Sequence, residues 1–268
     1  MSNLRDARTP SHGVDKVRDL MREVTYERRV VAFYDVLGWR SHIRRAGNNA
    51  SDISLLRRLI LKTARATRIE KGLDLRVSTF SDNVVISQLP GANTPQLLQQ
   101  LAIWQLGAAI NGFLMRGGVT IGDLVHEDEA VFGPALNRAY YLESKIAMYP
   151  RIVLDPLYME GFGELGSLCT TEDSVCFINP FRLAFCEHLR GATSAPPEEF
   201  RKAGLPQPKG VYAQLSNELI LSQVADALRE QMKEPMTWKD FRKVMWLYDK
   251  VAKQVGWPLS DTIEHIPA

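Results

Sequence analysis

Two apolar, strand-like segments each contain a single aspartate, and they constrain the fold of this chain more than any other feature. Residues 30–39 (VVAFYDVLGW) place Asp35 among β-branched, aliphatic and aromatic side chains, and residues 77–86 (VSTFSDNVVI) do the same with Asp82. Short runs of this composition predict buried strands. An ionised carboxylate buried there costs several kcal/mol, roughly, unless a cation or hydrogen-bond donors compensate it. A divalent metal shared by the two aspartates would compensate both charges.

Length and charge limit the class of protein. The 268 residues, 45% of them hydrophobic, can bury a full core as one large domain or as one domain with an elaboration. Residues 1–71 hold sixteen Lys and Arg against eight Asp and Glu, although the whole chain has a formal charge of only +2. This basic segment suits a polyanionic ligand, and a solvated helix face is the alternative.

Cysteine usage and hydropathy indicate the compartment. Cys169, Cys176 and Cys186 are an odd number of cysteines at spacings that match no zinc site, so reduced thiols in a cytosolic protein are expected. No secretory signal opens the chain. The longest apolar segment, residues 101–115, is interrupted by polar side chains and is shorter than the roughly 20 residues of a membrane span. We therefore expect a soluble, cytoplasmic protein with no membrane partner.

The pattern of apolar positions predicts alternating strands and helices. A turn is expected at Gly38, and Thr94 is expected to cap a helix that has Pro95 at its first position. The expected strands span 30–36, 116–125 and 151–154, with a hairpin at 74–88, and the expected helices cover 53–66, 94–113 and 134–148. The order β-αα-ββ-α-β-α-β predicts an α/β fold, an α+β sandwich in which helices flank a mixed β-sheet.

Beyond residue 160 the pattern is weaker. Residues 161–166 (GFGELG) have the glycine spacing of a dinucleotide-binding loop, but no βαβ unit surrounds them, so a plain turn is predicted. A Pro-rich loop at 195–209 interrupts this part of the chain, and two helices are expected at about 212–232 and 238–255. The chain is therefore divided into an N-terminal helical extension (1–28), a main domain (29–160) and a C-terminal completion of the domain that contains the two helices (161–268).

Four segments within the first 145 residues resemble class III nucleotide cyclases. Residues 33–39 (FYDVLGW) are similar to the family's first strand and phosphate-binding turn, and residues 78–82 (STFSD) to the hairpin that supplies its second metal-binding aspartate. Residues 115–122 (MRGGVTIG) resemble the strand after the third helix, and residues 132–137 (FGPALN) the turn and helix start that bear a ribose-orienting asparagine. The segments follow the family's order over about half of the chain. The resemblance implies the class III cyclase fold, with residues 29–160 as the catalytic domain.

The resemblance also implies roles for particular residues. The implied catalytic residues are Asp35, Asp82 and Asn137. Two Mg²⁺ or Mn²⁺ ions per active site would be held by Asp35, Asp82 and the backbone carbonyl of Val36, because both ions prefer hard oxygen ligands. Gly38 would let backbone amides approach a phosphate at a helix start. The implied substrate-binding residues are Phe33, Val36, Gly38, Trp39, Ser78, Phe80, Arg116, Ala130 and Tyr141, with Arg40 and Arg44 as further phosphate partners.

The chemistry of cyclisation needs residues of these types. The 3′ oxygen of a nucleoside triphosphate attacks the α-phosphorus in line while pyrophosphate leaves. Two metals can lower the pKa of the attacking hydroxyl and neutralise the leaving oxygens. A structural salt bridge is the alternative role for each aspartate, and a helix cap is the alternative for Asn137. Each of the three arginines also suits an ordinary surface position.

Three positions depart from the pattern of purine-specific cyclases. Ser78 and Ala130 stand where the family's purine-reading lysine and acidic residue would lie, and Tyr141 stands in place of the transition-state arginine. This profile resembles the compact bacterial cyclases of the Pycsar antiphage system, which make cyclic UMP or cyclic CMP. A pyrimidine needs a narrower pocket than a purine. The aromatic side chains that could narrow it are Tyr34, Trp39, Phe80 and Tyr141.

The resemblance therefore implies a uridylate cyclase that converts UTP to 3′,5′-cyclic UMP and pyrophosphate. It implies a homodimer with composite active sites in the bacterial cytoplasm, whose product activates a separate effector protein, with no nucleic acid as partner. The alternatives are a cytidylate cyclase and a catalytically inactive nucleotide-sensing domain. Retention of both aspartates disfavours the sensing domain, because sensing does not need two metals. The residues at 78 and 130 disfavour an ordinary purine cyclase.

Overall fold

The computed structural model describes residues 22–66, 74–182, 185 and 217–256. Its strands are β1 Glu27–Val36, β2 Arg76–Phe80, β3 Asn83–Gln88, β4 Met115–His126, β5 Val131–Phe132, β6 Ile152–Leu154, β7 Cys169–Glu172 and β8 Val175–Ile178. Its α-helices are α1 Trp39–Ala46, α2 Ala50–Ala66, α3 Thr94–Ile110, α4 Pro134–Tyr141, α5 Asn217–Met232 and α6 Trp238–Val255. A π-helical turn, Leu142–Ile146, continues α4, and two 3₁₀ helices span Pro156–Phe162 and Gly166–Leu168.

The eight strands form one mixed sheet in the order β2-β3-β1-β4-β6-β8-β7, with β5 paired to β4. β1 lies between β3 and β4 and is antiparallel to both, whereas β4 and β6 run parallel. With helices flanking this sheet, the predicted α/β fold class is confirmed. The register of β1 and β4 pairs Asp35 with Arg116. Paired residues lie on the same face of a sheet, so these two side chains are neighbours.

Both faces of β1 are covered, which explains its nearly continuous apolar sequence. Val30, Ala32 and Tyr34 belong to the main core, which the sheet shares with α3, α5 and α6. Val31 and Phe33 point to the opposite face and pack against α4. Side chains alternate along a strand, so a strand that is covered on both faces needs apolar residues at successive positions. Asp35 follows Phe33 on the α4 face.

Helix α4 lies directly on β4 because a glycine removes the side chain between them. A Cβ built on Gly118 would lie 2.4 Å from the Cβ of Leu142 and 2.6 Å from the carbonyl oxygen of Ala139. Neither distance is possible for real atoms, so only glycine allows this approach. The contact brings the C-terminal end of α4 and the π-helical turn over the part of β4 that pairs with the end of β1.

The C-terminal helices share the main core with the sheet. Buried residues of α5 and α6 belong to the same cluster as those of α3 and β1. The residue before helix α6 is Thr237, whose side chain accepts a hydrogen bond from the N–H of Asp240 at 3.2 Å, and the residue after it is Gly256, with φ 68°. Helices begin and end with such residues frequently. Within the described ranges, none of the helices combines the length and apolar character required to span a bilayer.

Several predicted boundaries differ from the structure. β1 begins at Glu27, inside the predicted N-terminal helical extension. The part of that extension before residue 22 and the Pro-rich loop lie outside the described residues. The N-cap position of α3 is Asn93, not Thr94 as predicted, and no side-chain hydrogen bond caps the helix. The Thr94 hydroxyl accepts the N–H of Gly91 at 3.1 Å, and α3 ends at Ile110. Residues 161–166, predicted to be a plain turn, join the end of one 3₁₀ helix to the start of the next.

Two elements of the second half of the chain were predicted wrongly or not at all. The helix predicted over 134–148 is α-helical only to Tyr141 and then widens into the π-helical turn. The hairpin of β7 and β8 was not predicted. Its turn residues, Asp173 and Ser174, have φ values of 51° and 62°. Such turns are usually marked by Asn or Gly, so this one carries little sequence signal.

Candidate active site

Asp35 lies one residue before the end of β1 and is only partly compensated. Arg116 Nη2 donates to its Oδ2 at 3.2 Å. Its Oδ1 is buried and accepts no hydrogen bond from the donors that the structure describes, while the Glu143 carboxyl is near enough to lower the pKa of Asp35. Burial raises the pKa of Asp35, and the negative charge of Asp82 adds to the effect, while Arg116 opposes it. An unpaired buried carboxylate oxygen next to a second carboxylate is suited to a bound cation.

Glu143 is the second carboxylate that contacts Arg116. Its side chain is almost fully buried, and its Oε1 forms an ion pair with the same Nη2 that reaches Asp35. Burial and the charge of Asp35 together raise the pKa of Glu143 to about 7. Glu143 belongs to the π-helical turn, in which the wider spiral changes which side chains face the sheet. The cluster therefore holds two carboxyl groups on one guanidinium.

Asp82 is the second residue of the two-residue turn that joins β2 to β3. Ser81, the first, has φ 58°. The charge of Asp82 raises the pKa of Asp35, so the two carboxylates interact electrostatically across the end of the sheet. No group of three or more His, Cys, Asp or Glu side chains is placed to hold a metal in the described ranges. Two aspartates with the unpaired Oδ1 of Asp35 still provide hard oxygen ligands of the kind that Mg²⁺ and Mn²⁺ bind.

The turn after β1 leads directly into α1. Gly38 has φ 72° and precedes the helix, and its carbonyl accepts the N–H groups of Ser41 and His42 at 2.8 and 3.1 Å. This left-handed conformation favours glycine. The first turn of α1 has no acidic residue, and no side chain caps it. The start of a helix with free N–H groups and no acidic side chain can accept a phosphate. Arg40 and Arg44 are exposed on α1.

Helix α4 carries the predicted ribose and transition-state positions. Asn137 and Tyr141 are exposed, and the guanidinium of Arg138 lies over the Tyr141 ring at 5.5 Å from its centroid. Arg138 also donates twice to the carboxylate of Asp155, at 2.8 and 2.7 Å. Phe33 packs edge-on against Tyr140 of the same helix, with ring centroids 5.4 Å apart. The helix is thus fixed against β1 and against the residue that follows β6.

Asp155 is fully buried and anchors this arrangement. It accepts the Thr120 hydroxyl at 2.7 Å and the N–H of Leu157 at 3.2 Å in addition to Arg138. Burial alone would raise the pKa of Asp155, but the hydrogen bonds from Arg138, Thr120 and Leu157 outweigh it and lower the pKa. Charge-assisted, bidentate pairs of this type are geometrically specific. Asp155 therefore holds Arg138, and through it the exposed face of α4, in one position.

The predicted base-reading positions lie on β2 and in the turn before β5. Ser78 hydrogen-bonds to Nε2 of His126 at 3.0 Å, and Nδ1 of the same ring contacts the Ser87 hydroxyl at 2.8 Å. Burial lowers the pKa of His126 to about 4, and the charges of two nearby arginines add to this. Ala130 is exposed in the turn before β5, where its carbonyl accepts the N–H of Glu127 at 2.8 Å. Neither position offers a charged side chain to a base.

The four aromatic side chains that were expected to narrow one pocket do not meet. Tyr34 and Trp39 belong to the main core, on the opposite side of β1 from α4. Tyr34 lines a mainly apolar cavity of about 370 Å³ between the sheet and α2 and α3, which Val36 and Asp82 also line. Phe80 is 82% exposed beside the hairpin turn, and Tyr141 is 46% exposed on α4. Within one chain, therefore, only the last two are available to a ligand on the α4 face.

Glu143 and Asp155 were missed by the sequence reasoning. Glu143 stands in a polar segment, LESK, that resembles the exposed side of a helix, so no local signal marks it. Asp155 directly follows the buried apolar strand β6. The argument that identified Asp35, a carboxylate without a partner beside an apolar run, would also have identified Asp155.

Comparison with known proteins gives structural likenesses only. No family model matches the sequence, and no curated protein matches it. The dimeric guanylyl cyclase domain of the RhoGC fusion protein from the aquatic fungus Blastocladiella emersonii is 16% identical, with a TM-score of 0.41 over 58% of this chain and 94% of that one. A bacterial light-regulated adenylyl cyclase is 14% identical, with a TM-score of 0.41 over 60% of this chain and 54% of that one.

A third solved structure, the adenylyl cyclase CyaB from P. aeruginosa, is 14% identical, with a TM-score of 0.38 over 58% of this chain and 94% of that one. All three structures are nucleotide cyclases by name. Likenesses at these identities and scores concern the course of the chain and do not identify a substrate or an activity.

Proposed function

We propose that this protein is a nucleotide cyclase that forms a 3′,5′-cyclic nucleotide and pyrophosphate from a nucleoside triphosphate. The observation that carries the proposal is the pair of carboxylates at the end of the sheet. Asp35 has a buried oxygen without a hydrogen-bond donor, and the negative charge of Asp82 raises its pKa. Two residues separate the end of β1 from the start of α1, which no side chain caps. A carboxylate pair beside a helix N-terminus suits a metal-bound triphosphate.

Each group in the site has a separate task in this reaction. Asp35 and Asp82, with the backbone carbonyl of Val36, would hold two Mg²⁺ or Mn²⁺ ions, which supply activation of the 3′-hydroxyl and charge neutralisation on the phosphates. The N–H groups at the start of α1 would bind phosphate oxygens, and Gly38 keeps that approach free of a side chain. Asn137 would orient the ribose from the exposed face of α4.

A direct assay tests the activity. Purified protein is incubated with each of the four nucleoside triphosphates and Mn²⁺ or Mg²⁺, and the products are resolved by mass. A cyclic nucleotide and pyrophosphate in equal amounts are expected. Hydrolysis to a diphosphate, or no product with either metal, contradicts the proposal.

UTP is the proposed substrate, and CTP is the alternative. The support is the absence of a charged base reader, since Ser78 is engaged with His126 and Ala130 has no polar side chain. Shape alone in an apolar pocket discriminates only about 10- to 200-fold, so preference would rest on the exposed aromatics Phe80 and Tyr141. Tyr141→Ala should then admit purine triphosphates more readily. A wild-type preference for ATP or GTP contradicts this specificity.

The proposed active unit is a homodimer with two composite sites. Asn137, Tyr141 and Phe80 are exposed, and the first two lie on a different element from the aspartates. Two-fold symmetry would place the α4 of one protomer opposite the aspartates of its partner. Mixing inactive Asp35→Ala with inactive Asn137→Ala should restore up to about a quarter to a half of the activity. No recovery, with subunit exchange shown independently, places each site within one chain.

A non-catalytic nucleotide sensor is the second candidate, and one observation favours it. Arg116, the only arginine beside Asp35 among the described residues, is already paired with Asp35 and Glu143. Tyr141 provides no cation in place of the missing arginine. Nucleotide binding by calorimetry without any turnover, in the presence of either metal, would favour the sensor.

The proposed biological role is synthesis of a cyclic pyrimidine nucleotide as a second messenger in bacterial defence against phage. It rests on the sequence resemblance and on the proposed substrate. In bacteria that express the protein, extracts taken before and after phage infection should show cyclic UMP rising only after infection. Extracts in which cyclic UMP stays undetectable after infection, from cells with active enzyme, contradict this role.

A further inference from the structure

Two cysteines face each other across the hairpin at the edge of the sheet, far from the candidate active site. The register of β7 and β8 pairs Cys169 with Ile178 and Thr171 with Cys176. Residues two apart on a strand share a face, so Cys169 and Cys176 are diagonal neighbours on one side of the hairpin. Both are free thiols of intermediate exposure.

The two sulfurs interact and differ in character. Cys169 hydrogen-bonds to Cys176, and the Thr171 side chain adds a second hydrogen bond to the Cys176 sulfur. The bond from Cys169 lowers the pKa of Cys176 to about 6, against the effect of burial, whereas the pKa of Cys169 is raised. The lowered pKa favours the thiolate form at Cys176, and the raised pKa favours the protonated thiol at Cys169. This is the arrangement of an attacking and a resolving cysteine.

Both cysteines are of intermediate exposure and pack against the main core on one face of the edge hairpin. β7 is the last strand of the sheet, so one of its edges has no neighbouring strand among the described elements. The turn of Asp173 and Ser174 closes the hairpin with only two residues, which holds both strands in fixed register. The cysteines therefore stay adjacent without any movement of the core.

We propose that Cys169 and Cys176 form a reversible intramolecular disulfide when the protein encounters a hydroperoxide. The Cys176 thiolate attacks one peroxide oxygen, the O–O bond breaks, and a sulfenic acid forms at Cys176 as hydroxide or an alkoxide leaves and takes a proton from solvent. The Cys169 sulfur then attacks the Cys176 sulfur, the S–O bond breaks, and the hydroxyl leaves as water with the Cys169 proton. Two thiols are oxidised and one peroxide is reduced. A dithiol reductant reverses the reaction by exchange.

Peptide mapping tests the proposal in the full-length protein. Reduced protein is treated with stoichiometric hydrogen peroxide and then cleaved without reductant. Trypsin leaves both cysteines in one peptide, residues 152–182, which should become lighter by two hydrogen atoms. Glu172 and Asp173 lie between the cysteines, so cleavage at acidic residues should give two peptides joined only by the disulfide. Dithiothreitol should separate them.

Three variants distinguish this pair from other thiol chemistry. Cys186→Ser is the matched control and should form the same bridge as wild type. Cys169→Ser should stop at the sulfenic acid, which dimedone traps on Cys176, and Cys176→Ser should form no bridge. In unoxidised protein at pH 7, iodoacetamide should alkylate Cys176 at least about tenfold faster than Cys169. A bridge through Cys186, a bridge between chains, unchanged mass after peroxide, or equal alkylation rates would each overturn the proposal.

Discussion

Replacement of Asp35 by Asn tests the site most directly, because it removes one charge and keeps the side-chain shape. Burial raises the pKa of Asp35, so its ionised form is less favourable in the folded than in the unfolded chain. Arg116 keeps Glu143 as a partner in the variant. We therefore expect the unfolding free energy at pH 7 to fall by no more than about 1 kcal/mol, compared with about 3–5 kcal/mol when a buried ion is left without a partner.

Activity should fall much more than stability. Loss of a metal ligand is expected to reduce turnover about a thousandfold or more, which corresponds to about 4 kcal/mol of transition-state stabilisation. Urea unfolding measures the first quantity and Mn²⁺-dependent product formation the second. Asp123→Asn, at an exposed aspartate of β4, is the matched control and should change neither. Turnover of folded Asp35→Asn within about tenfold of wild type would refute the metal assignment.

Two further predictions concern stability. Gly118→Ala should lower the unfolding free energy by about 1–3 kcal/mol, because its Cβ would lie 2.4 Å from the nearest atom of the layer above. Gly91→Ala, where a Cβ meets nothing within 4 Å, is the control, and equal urea midpoints for the two variants would contradict the predicted clash. The pKa of His126 is lowered from 6.5 to about 4 in the folded protein. As pH falls, the unfolded chain therefore binds a proton at this position before the folded chain does. The free energy of unfolding should decrease by about 3 kcal/mol as pH falls from about 6.5 to 4. The pKa of His42 is lowered to a similar extent, so both histidines contribute to this loss of stability. His126→Gln should therefore remove about half of the fall in unfolding free energy that urea titrations measure across this pH range. An unchanged pH dependence in the variant would refute the prediction for His126.

The sequence predicts those parts of the site whose conformation depends only on neighbouring residues. β1 and the β2–β3 hairpin were identified, because β-branched and aromatic runs bounded by turn residues predict strands. The prediction that Asp82 lies within a buried strand was wrong, since Asp82 belongs to the hairpin turn and β2 is only half-buried or exposed. Gly38 was identified for a similar reason, since a left-handed turn between a strand and a helix requires glycine. In each case neighbouring residues determine the conformation.

Other parts could not be predicted, because they depend on register and helix geometry. Arg116 meets Asp35 from 81 residues away only through the pairing of β1 with β4. Glu143 reaches the same guanidinium because α4 widens into a π-helical turn, and no local pattern marks that change. Strand alternation places Tyr34 on the main-core side of β1, opposite α4 and Tyr141, which the sequence could not show.

The sequence by itself thus placed Asp35 in an apolar strand and located the turn at Gly38 beside it. Secondary-structure propensity and the period of the apolar positions depend on a few neighbouring residues, so the sequence is sufficient to predict such local features. The tertiary structure alone decided which of those charges are paired. Arg116 satisfies Asp35 and Glu143 incompletely, whereas Asp155 is fully satisfied by Arg138, Thr120 and a backbone N–H. Pairing depends on which strands and helices lie side by side, and that is fixed only when the whole core packs.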